Sequence, residues 1–266
     1  MTKPETEEDH FDKESVSPTL LIWRKEINGY LTSTTGHIVI TLNALLLGGF
    51  FTIFIELLNQ VPTDTPITEL FYDSYFFWIL LFIGAPVITT RAFSLEASRG
   101  TLDATLATQA PTYALVTGKW AASLTFFLLT WIPWLGCMAV IYTIPNTPPP
   151  FSWEQWASTG LGLLLMGGFF ISVGCLFSSM TSNQIVSAMA TLVLCLGLFS
   201  LSFLDQWSNP NENLLQSLIS QIGIVNHMGD FVRGIIDTRP IVFYISSTCV
   251  CLYLTTITLE RRRWVT

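Results

Sequence analysis

The stretch RAFSLEASRGTLDATLATQAPTYALVTGK, residues 91–119, is a polar and charged interval between two long apolar runs. A helix that crosses the ~30 Å hydrocarbon core of a bilayer needs about 20 apolar residues, and the runs before and after this interval both reach that length. The interval therefore predicts a short connection, exposed at one membrane surface, between two membrane-spanning helices.

The composition extends this membrane assignment to the whole chain. Half of the 266 residues are apolar, only 12% are charged and the mean hydropathy is +0.52, which excludes an ordinary soluble domain of this length. Six apolar segments are long enough to span a bilayer. They cover roughly residues 37–57, 72–93, 118–143, 155–178, 184–204 and 240–259. We therefore predict an all-α integral membrane protein with six transmembrane helices within residues 36–266.

The basic residues predict the orientation of these spans. If the N-terminus is cytoplasmic, six spans return the C-terminus to the same side, and of the twelve Lys and Arg residues only Arg233 and Arg239 lie outside. Such an asymmetry is the positive-inside pattern. We expect a multi-pass protein of the inner (cytoplasmic) membrane with both termini in the cytoplasm. The formal charge of −7 then belongs mainly to the outer loops and gives no support to nucleic-acid binding.

The N-terminal region divides into two parts. Residues 1–16 are polar and acid-rich without an apolar core, so we predict a disordered tail and not a signal peptide. Residues 17–35 predict an elbow helix lying along the inner membrane interface. Its apolar stripe consists of Leu20, Trp23, Ile27 and Leu31, and its polar face of Arg24, Lys25 and Asn28. The alternative is a simple extension of the first span, but the TSTTG sequence at 32–36 is a poor helix continuation.

The interval at 91–119 itself predicts a turn and a short helix. We expect the second span to continue to Arg99 and to stop at Gly100, which accepts the left-handed backbone conformation of a helix C-terminus. Thr101 can cap a new helix whose first turn holds Asp103. Leu102 and Leu106 would form the apolar face of this helix.

The third span is expected to open after Pro111, at Gly118 and Lys119. Pro86 in the second span and Pro133 in the third are each tolerable in lipid and are each a place where the helix can kink. Lys119 is interpreted as an anchor whose side chain extends to the inner interface. In the fourth span, Gly160, Gly167 and Gly174 recur every seven residues and predict a face where other helices approach closely.

The loop at 205–239 contains one more apolar stripe, which is too short to cross the membrane. It predicts a re-entrant or interfacial helix on the outer face, before the sixth span. The residues of the stripe are Leu214, Leu215, Leu218, Ile219 and Ile222. Glu56 and Asp205 fall at the outer ends of spans one and five. They are interpreted as hydrated residues at helix ends or, alternatively, as residues at the outer opening of a transport route.

Sequence patterns typical of enzymes are missing. There is no Gly-x(4)-Gly-Lys-[Ser/Thr] phosphate loop, no His-Glu-x-x-His zinc motif and no Gly-x-Ser-x-Gly elbow. The five cysteines are odd in number and lie inside apolar runs, as small buried side chains do. We therefore predict no catalytic residue, no metal site and no cofactor in this chain.

Mildly polar side chains within two spans suggest how copies of the chain could meet. Thr41 and Asn43 in span one, and Ser187 and Thr191 in span five, are predicted to face a dimer axis or a translocation route. Asn43 has two interpretations, a hydrogen bond to a helix across the dimer or a contact with substrate, of which the first is favoured.

The spacing of residues in the interval resembles a known family signature. It reads Arg91-x(4)-Glu96-x-x-Arg99-Gly100-Thr101-Leu102-Asp103, then Pro111 and Gly118-Lys119. This resembles type-2 ABC transporter permeases, and most of all the branch associated with gliding motility and nitrous-oxide-reductase maturation. Residues 24–39, RKEINGYLTSTTGHIV, resemble the Lys-Glu-x-x-x-Tyr-x-x-Ser opening of that branch, and residues 231–264 resemble its closing segment. Two positions differ from the pattern: Ala97 replaces a frequent acid, and Asp103 a commoner Glu.

The resemblance implies a membrane subunit without its own ATPase. Such permeases work as homodimers or related heterodimers, with cytoplasmic ABC ATPase subunits that bind ATP and Mg, and in some cases with a periplasmic or membrane accessory protein. The elbow helix, and a coupling helix between spans two and three, would transmit ATP-driven closure to transport or mechanical handling of an unidentified substrate. The implied ATPase-coupling residues are Glu96, Arg99, Gly100, Thr101, Leu102, Asp103 and Leu106. The alternative is a membrane scaffold, or a membrane-embedded enzyme, without a nucleotide-binding partner.

Overall fold

A computed structural model of the chain describes residues 17–60, 67–108, 110–142, 152–207 and 223–265. These residues form α-helices joined by turns, and no strand occurs among them. The helices are α1 Pro18–Thr32, α2 Thr34–Gln60, α3 Ile67–Asp73, α4 Tyr75–Thr89, α5 Ser94–Ser98, α6 Leu102–Leu106, α7 Thr112–Thr130, α8 Ile132–Tyr142, α9 Trp153–Met180, α10 Gln184–Trp207, α11 Ile224–Val232 and α12 Thr238–Val265.

Five stretches of helix are long and apolar enough to cross a membrane, which supports the predicted all-α membrane class. They are Thr34–Glu56, Thr112–Val140, Trp153–Met180, Gln184–Ser202 and Thr238–Arg263. The remaining apolar helix, α4, has 15 residues. At 1.5 Å per residue it is about 22 Å long, less than the ~30 Å hydrocarbon core. The predicted second span, which contains α4, is therefore not established as a membrane crossing, and the total of six spans stays a prediction.

The elbow helix is separate from the first span, as predicted. Helix α1 ends at Thr32, and the Ser33 hydroxyl accepts a hydrogen bond from the Gly36 N–H at 3.1 Å, in the first turn of α2. The face of α1 that packs against the protein differs in part from the predicted stripe. Ile27 and Tyr30 are buried, whereas Leu20 and Leu31, at the two ends of the stripe, are exposed.

A glycine allows α1 to lie directly on α7. A Cβ atom at Gly118 would be 2.9 Å from the Ile22 Cβ and 3.0 Å from the Thr19 carbonyl oxygen, so a larger residue would separate the two helices. The third span was predicted to begin at this glycine, but α7 begins at Thr112, directly after Pro111. Gly118 is thus a packing position inside a helix and does not mark its start.

The third span is interrupted where a kink was expected. Pro133 has no backbone N–H, and the Trp134 N–H donates to the Trp131 carbonyl at 3.1 Å, so helix α7 stops at Thr130. The Asn43 side-chain amide of α2 donates to the Thr130 carbonyl at 2.6 Å. Inside a bilayer such a carbonyl needs a partner from the protein. Asn43 therefore makes a hydrogen bond between helices, but to a helix of its own chain and not across a dimer as expected.

Helix α9 is the central element and packs against α4, α7, α10, α11 and α12. The predicted close approaches occur at two of its three spaced glycines: a Cβ at Gly167 would meet the Phe127 ring, and one at Gly174 would meet the Thr89 side chain. Gly160 has open space around it, so its inclusion in this packing face was wrong.

A short helix precedes the last span at the end opposite Arg91. It is α11, which packs its Phe231 against Gly162 of α9, and the Ser158 hydroxyl of α9 donates to the Phe231 carbonyl. The predicted apolar stripe at 214–222 lies outside the described residues, as do the tail at 1–16 and the Asp205 side chain. Glu56 is exposed, as expected of a hydrated helix end.

Candidate functional site

The side chain of Lys119, on α7, is the centre of a buried charge cluster. Its Nζ atom is 3.0 Å from Glu26 Oε1 on α1 and 2.6 Å from Glu96 Oε1 on α5. The Lys119 side chain is only 2% exposed, and the two glutamates are 22% and 23% exposed. The interpretation of Lys119 as an anchor that reaches the membrane interface was therefore wrong, because the side chain points into the protein.

The surroundings of Lys119 fit a charged ammonium group. A lysine loses its hydration when it is buried, and the two carboxylates compensate that loss by ion pairs and charged hydrogen bonds. The Phe93 ring lies 5.5 Å from Nζ and adds a cation–π contact. Glu96 Oε2 is buried and has no hydrogen-bond partner among the described residues. One cation thus joins three separate segments of the chain, α1, α5 and α7.

Tyr30 links α1 to α7 a second time and also links α1 to α4. Its hydroxyl donates to the Ile88 carbonyl of α4 at 3.1 Å and lies 3.1 Å from the Ser123 hydroxyl of α7. Its ring stacks on Phe126 with 4.8 Å between the ring centres. Burial raises the pKa of Tyr30 above its usual range, so the phenol stays protonated and remains a donor.

Arg91 makes a third link, from the end of α4 to the start of α2. Its Nη1 atom donates to the Ser33 hydroxyl at 2.7 Å and also to the Thr35 hydroxyl. The guanidinium lies 5.4 Å from the centre of the Tyr30 ring. Arg91 therefore holds the α1–α2 junction beside the point where α4 ends.

The structure brings together the first two segments that resemble the permease family. From the Lys-Glu-x-x-x-Tyr-x-x-Ser segment, Glu26 contacts Lys119 and Ser33 contacts Arg91. Tyr30 bonds to α4, just before Arg91, and to α7, which carries Lys119. Lys119 and Ser123 lie four residues apart, and the sequence pattern alone shows that they share one face of α7. The sequence alone did not identify Lys119 or Ser123 as members of a site.

The turn at Gly100 is confirmed. Its φ is +70°, and two hydrogen bonds close the end of α5: the Thr101 N–H donates to the Glu96 carbonyl at 3.0 Å, and the Gly100 N–H to the Ala97 carbonyl at 3.2 Å. This is a Schellman motif, in which a left-handed residue ends the helix. The Thr101 side chain does not cap α6; its hydroxyl turns back to the Glu96 carbonyl.

The helix before this turn is also shorter than predicted. The second span does not continue to Arg99, because α4 ends at Thr89 and a turn separates it from α5. The Ser178 hydroxyl, near the end of α9, accepts hydrogen bonds from the N–H groups of Phe93 and Ser94 at 3.1 and 2.9 Å. Helix α5 is therefore tied to the central helix at its start.

The predicted ATPase-coupling residues fall into two groups. Arg99, Gly100, Thr101 and Asp103 are exposed and can meet a partner. Three others face inward, as Glu96 binds Lys119 while Leu102 and Leu106 are buried. The Glu96 carboxylate is thus paired with Lys119 inside the chain, and Leu102 and Leu106 form the predicted apolar face of α6, which packs against the protein.

The predicted elbow residues divide in the same way. Trp23 donates its indole N–H to the Thr125 hydroxyl of α7 at 3.1 Å, and Ile27 is buried against the core. Arg24 and Lys25 are exposed, as expected for the polar face.

The predicted dimer or translocation face needs correction. Ser187 and Thr191 are buried within one chain, and the Thr191 hydroxyl donates to the Ser187 carbonyl at 2.9 Å. They cannot form a face of α10 that meets a second copy. Asn43 is bonded to Thr130, so of the four predicted residues Thr41 alone is exposed.

Within the described part of the chain, no group of three or more His, Cys, Asp or Glu side chains is placed to hold a metal ion. Comparison of the sequence with protein-family models and with curated proteins gives no match. The chain's own contacts therefore carry the functional argument, above all the buried junction at Lys119, which joins α1, α5 and α7 through ion pairs.

Proposed function

We propose that the chain is the membrane-spanning subunit of a type-2 ABC transporter. It would couple ATP hydrolysis by a separate cytoplasmic ATPase subunit to transport, or mechanical handling, of a substrate. The observation that carries this proposal is the Lys119 cluster, which ties the surface loop at 94–106 and the elbow helix α1 to the span formed by α7 and α8. A coupling subunit needs a face for its partner and a stiff connection from that face to its spans.

The partner face is the exposed side of the loop. Arg99 and Asp103 present opposite charges on either side of the Gly100 turn, which favours one docking orientation of a complementary partner. Leu102 and Leu106 are buried beneath them. A displacement imposed on this face would therefore move α6 as a packed unit.

The connection to the spans has three branches. The Glu96–Lys119 ion pair connects α5 to α7, and the Lys119–Glu26 ion pair connects α7 to α1. Ser178 connects the start of α5 to α9. Arg91 connects the end of α4 to the beginning of α2 through Ser33. Ion pairs and hydrogen bonds that are shielded from water are stronger than exposed ones, because water does not compete for their donors and acceptors. They therefore keep the connected helices at more constant distances.

The membrane arrangement in this proposal follows the charge asymmetry. The N-terminus, the loop at 94–106 and the C-terminus would face the cytoplasm, α4 would serve as the sixth crossing, and the membrane would be the inner one. Two copies, or one copy and a relative, would form the complete membrane unit. ATP and Mg would bind only the ATPase subunits.

The test is purification of the tagged full chain from its own membranes in mild detergent, followed by mass spectrometry and an ATPase assay. We expect an ATPase with a phosphate loop to co-purify and to hydrolyse ATP. Asp103→Lys should reduce both, because it reverses a charge on the partner face. Glu260→Lys, the same reversal at an exposed residue of α12, is the matched control. Recovery of the chain without any ATPase would reject the proposal and favour a scaffold or a membrane enzyme.

A further inference from the structure

A cavity of about 400 Å³ lies beside the Arg91 link. It is bounded by the first turns of α2 and α10 and by the last turn of α4. Its polar wall includes Arg91, Arg99, Thr35 and Gln184, and no Asp or Glu is among the described residues that line it. The cavity is therefore a basic site at the ends of apolar helices.

The positive charge of this cavity has no carboxylate partner in the described part of the chain. Arg91 is half-buried, yet its hydrogen bonds go to the neutral hydroxyls of Ser33 and Thr35. Arg99 is exposed at the rim, and its guanidinium contacts no described side chain within hydrogen-bond distance. A partly buried guanidinium is stabilised by an anion that accepts its remaining N–H groups.

Helix ends also meet at the cavity. Thr35 and Gly36 belong to the first turn of α2, and Gln184 is the first residue of α10, so both N-terminal dipole ends point to this region. The C-terminal ends of α1, α4 and α5 also reach the cavity, through Tyr30, Ile88 and Arg99, so the helix dipoles largely offset one another. The two arginine charges therefore decide the preference, which is for an anionic group.

The other walls of the cavity are apolar and continue along the outside of the protein. Val87, which lines the cavity, is 41% exposed. Ile83 and Ile79, four and eight residues earlier on the same face of α4, are 55% and 52% exposed. A row of apolar side chains thus leads from the basic cavity along a helix that lies among membrane-spanning elements. A ligand with a negative head and a hydrocarbon tail matches both parts.

We propose that this cavity binds a phospholipid with an anionic headgroup. Its phosphate would lie between Arg91 and Arg99, and an acyl chain would follow the Val87–Ile83–Ile79 row. Basic pockets between membrane helices are a general mode of anionic lipid recognition. The bound lipid would complete the charge pairing at the junction of α2, α4 and α5. The site stands on the cavity and its charges and does not depend on an ATPase partner.

The test is a lipid titration of the purified full chain in detergent, with the thermal unfolding midpoint as the readout. Phosphatidylglycerol should raise the midpoint in a saturable manner, whereas phosphatidylcholine and inorganic phosphate should not. Arg99→Gln should raise the half-saturating concentration of phosphatidylglycerol about tenfold, because it removes one charged contact to the headgroup. The Arg99 guanidinium makes no hydrogen bond or ion pair with a described side chain, so the variant should fold normally. Arg24→Gln, an exposed arginine of α1 outside the cavity, should leave the titration unchanged.

Three results would overturn the proposal. Equal stabilisation by phosphatidylcholine would show that hydrocarbon alone is recognised, and equal stabilisation by inorganic phosphate would show an anion site without a lipid. An Arg99→Gln protein that titrates like the wild type would place the lipid elsewhere. Ile83→Asn adds a second check. It should weaken the binding of phosphatidylglycerol, because it places an amide in the acyl-chain row, and should leave any effect of inorganic phosphate on the unfolding midpoint unchanged.

Discussion

Replacement of Lys119 by methionine tests the buried charge cluster most directly. The change keeps most of the side-chain volume but leaves Glu26 and Glu96 without their shared cation. Their two bonded oxygens are at most 5.6 Å apart, which is the sum of the 3.0 and 2.6 Å contacts to Nζ. At an effective dielectric constant of about 20, two negative charges at that separation repel by about 3 kcal/mol.

Loss of one member of a buried ion pair typically costs about 3–5 kcal/mol. Both glutamates keep about a fifth of their surface in contact with solvent, so hydration relieves part of the penalty. We therefore expect Lys119→Met to lower the free energy of unfolding by about 3 kcal/mol. By the scaling of soluble proteins of 150–250 residues, this lowers the unfolding midpoint by roughly 6–12 °C.

The assay is thermal unfolding of the detergent-purified protein, followed by tryptophan fluorescence. The triple variant Lys119→Met, Glu26→Gln, Glu96→Gln removes all three charges and should recover most of the lost stability, because no unpaired charge remains buried. Glu69→Gln serves as the control. It breaks the ion pair with Arg233, whose side chain is 58% exposed, and should cost less than about 1 kcal/mol.

Two outcomes would refute this reasoning. If Lys119→Met costs no more than Glu69→Gln, the cluster does not behave as a buried pair. If the triple variant is no more stable than Lys119→Met alone, the loss comes from packing around the lysine stem and not from unpaired charge.

Three further substitutions test the α1–α7 packing, the turn at Gly100 and the Asn43 hydrogen bond. Gly118→Val should separate α1 from α7 and make α1 cleavable by trypsin. Gly197→Val, at a position with open space around it, is the control and should not expose α1. Equal cleavage of the two variants would contradict the packing argument. Gly100→Val should cost about 1–2 kcal/mol, because a β-branched residue is strained at a φ of +70°, and an unchanged unfolding midpoint would show that the turn has relaxed. Asn43→Leu should cost about 1 kcal/mol by leaving the Thr130 carbonyl without its 2.6 Å partner; a more stable protein would mean that this carbonyl finds another donor.

Local patterns in the sequence were sufficient for the membrane class, the separate elbow helix and the turn at Gly100. Each depends on neighbouring residues: a run of apolar side chains has to lie in lipid, and a glycine after a helix accepts a left-handed φ that other residues avoid. Helix ends were less accurate. The sequence did not show that α4 stops at Thr89, because hydrogen bonds from Phe93 and Ser94 to Ser178, more than 80 positions away, stabilise the following turn.

Tertiary structure decided which polar residues face one another. Lys119 lies 93 positions from Glu26 and 23 from Glu96, and nothing in its local sequence separates a buried ion pair from an interfacial anchor. Ser187 and Thr191 are spaced like an exposed polar face, but neighbouring elements cover them. A helix pattern defines which side chains share a face, whereas the packing of distant helices determines whether that face meets lipid, protein or a charge of opposite sign.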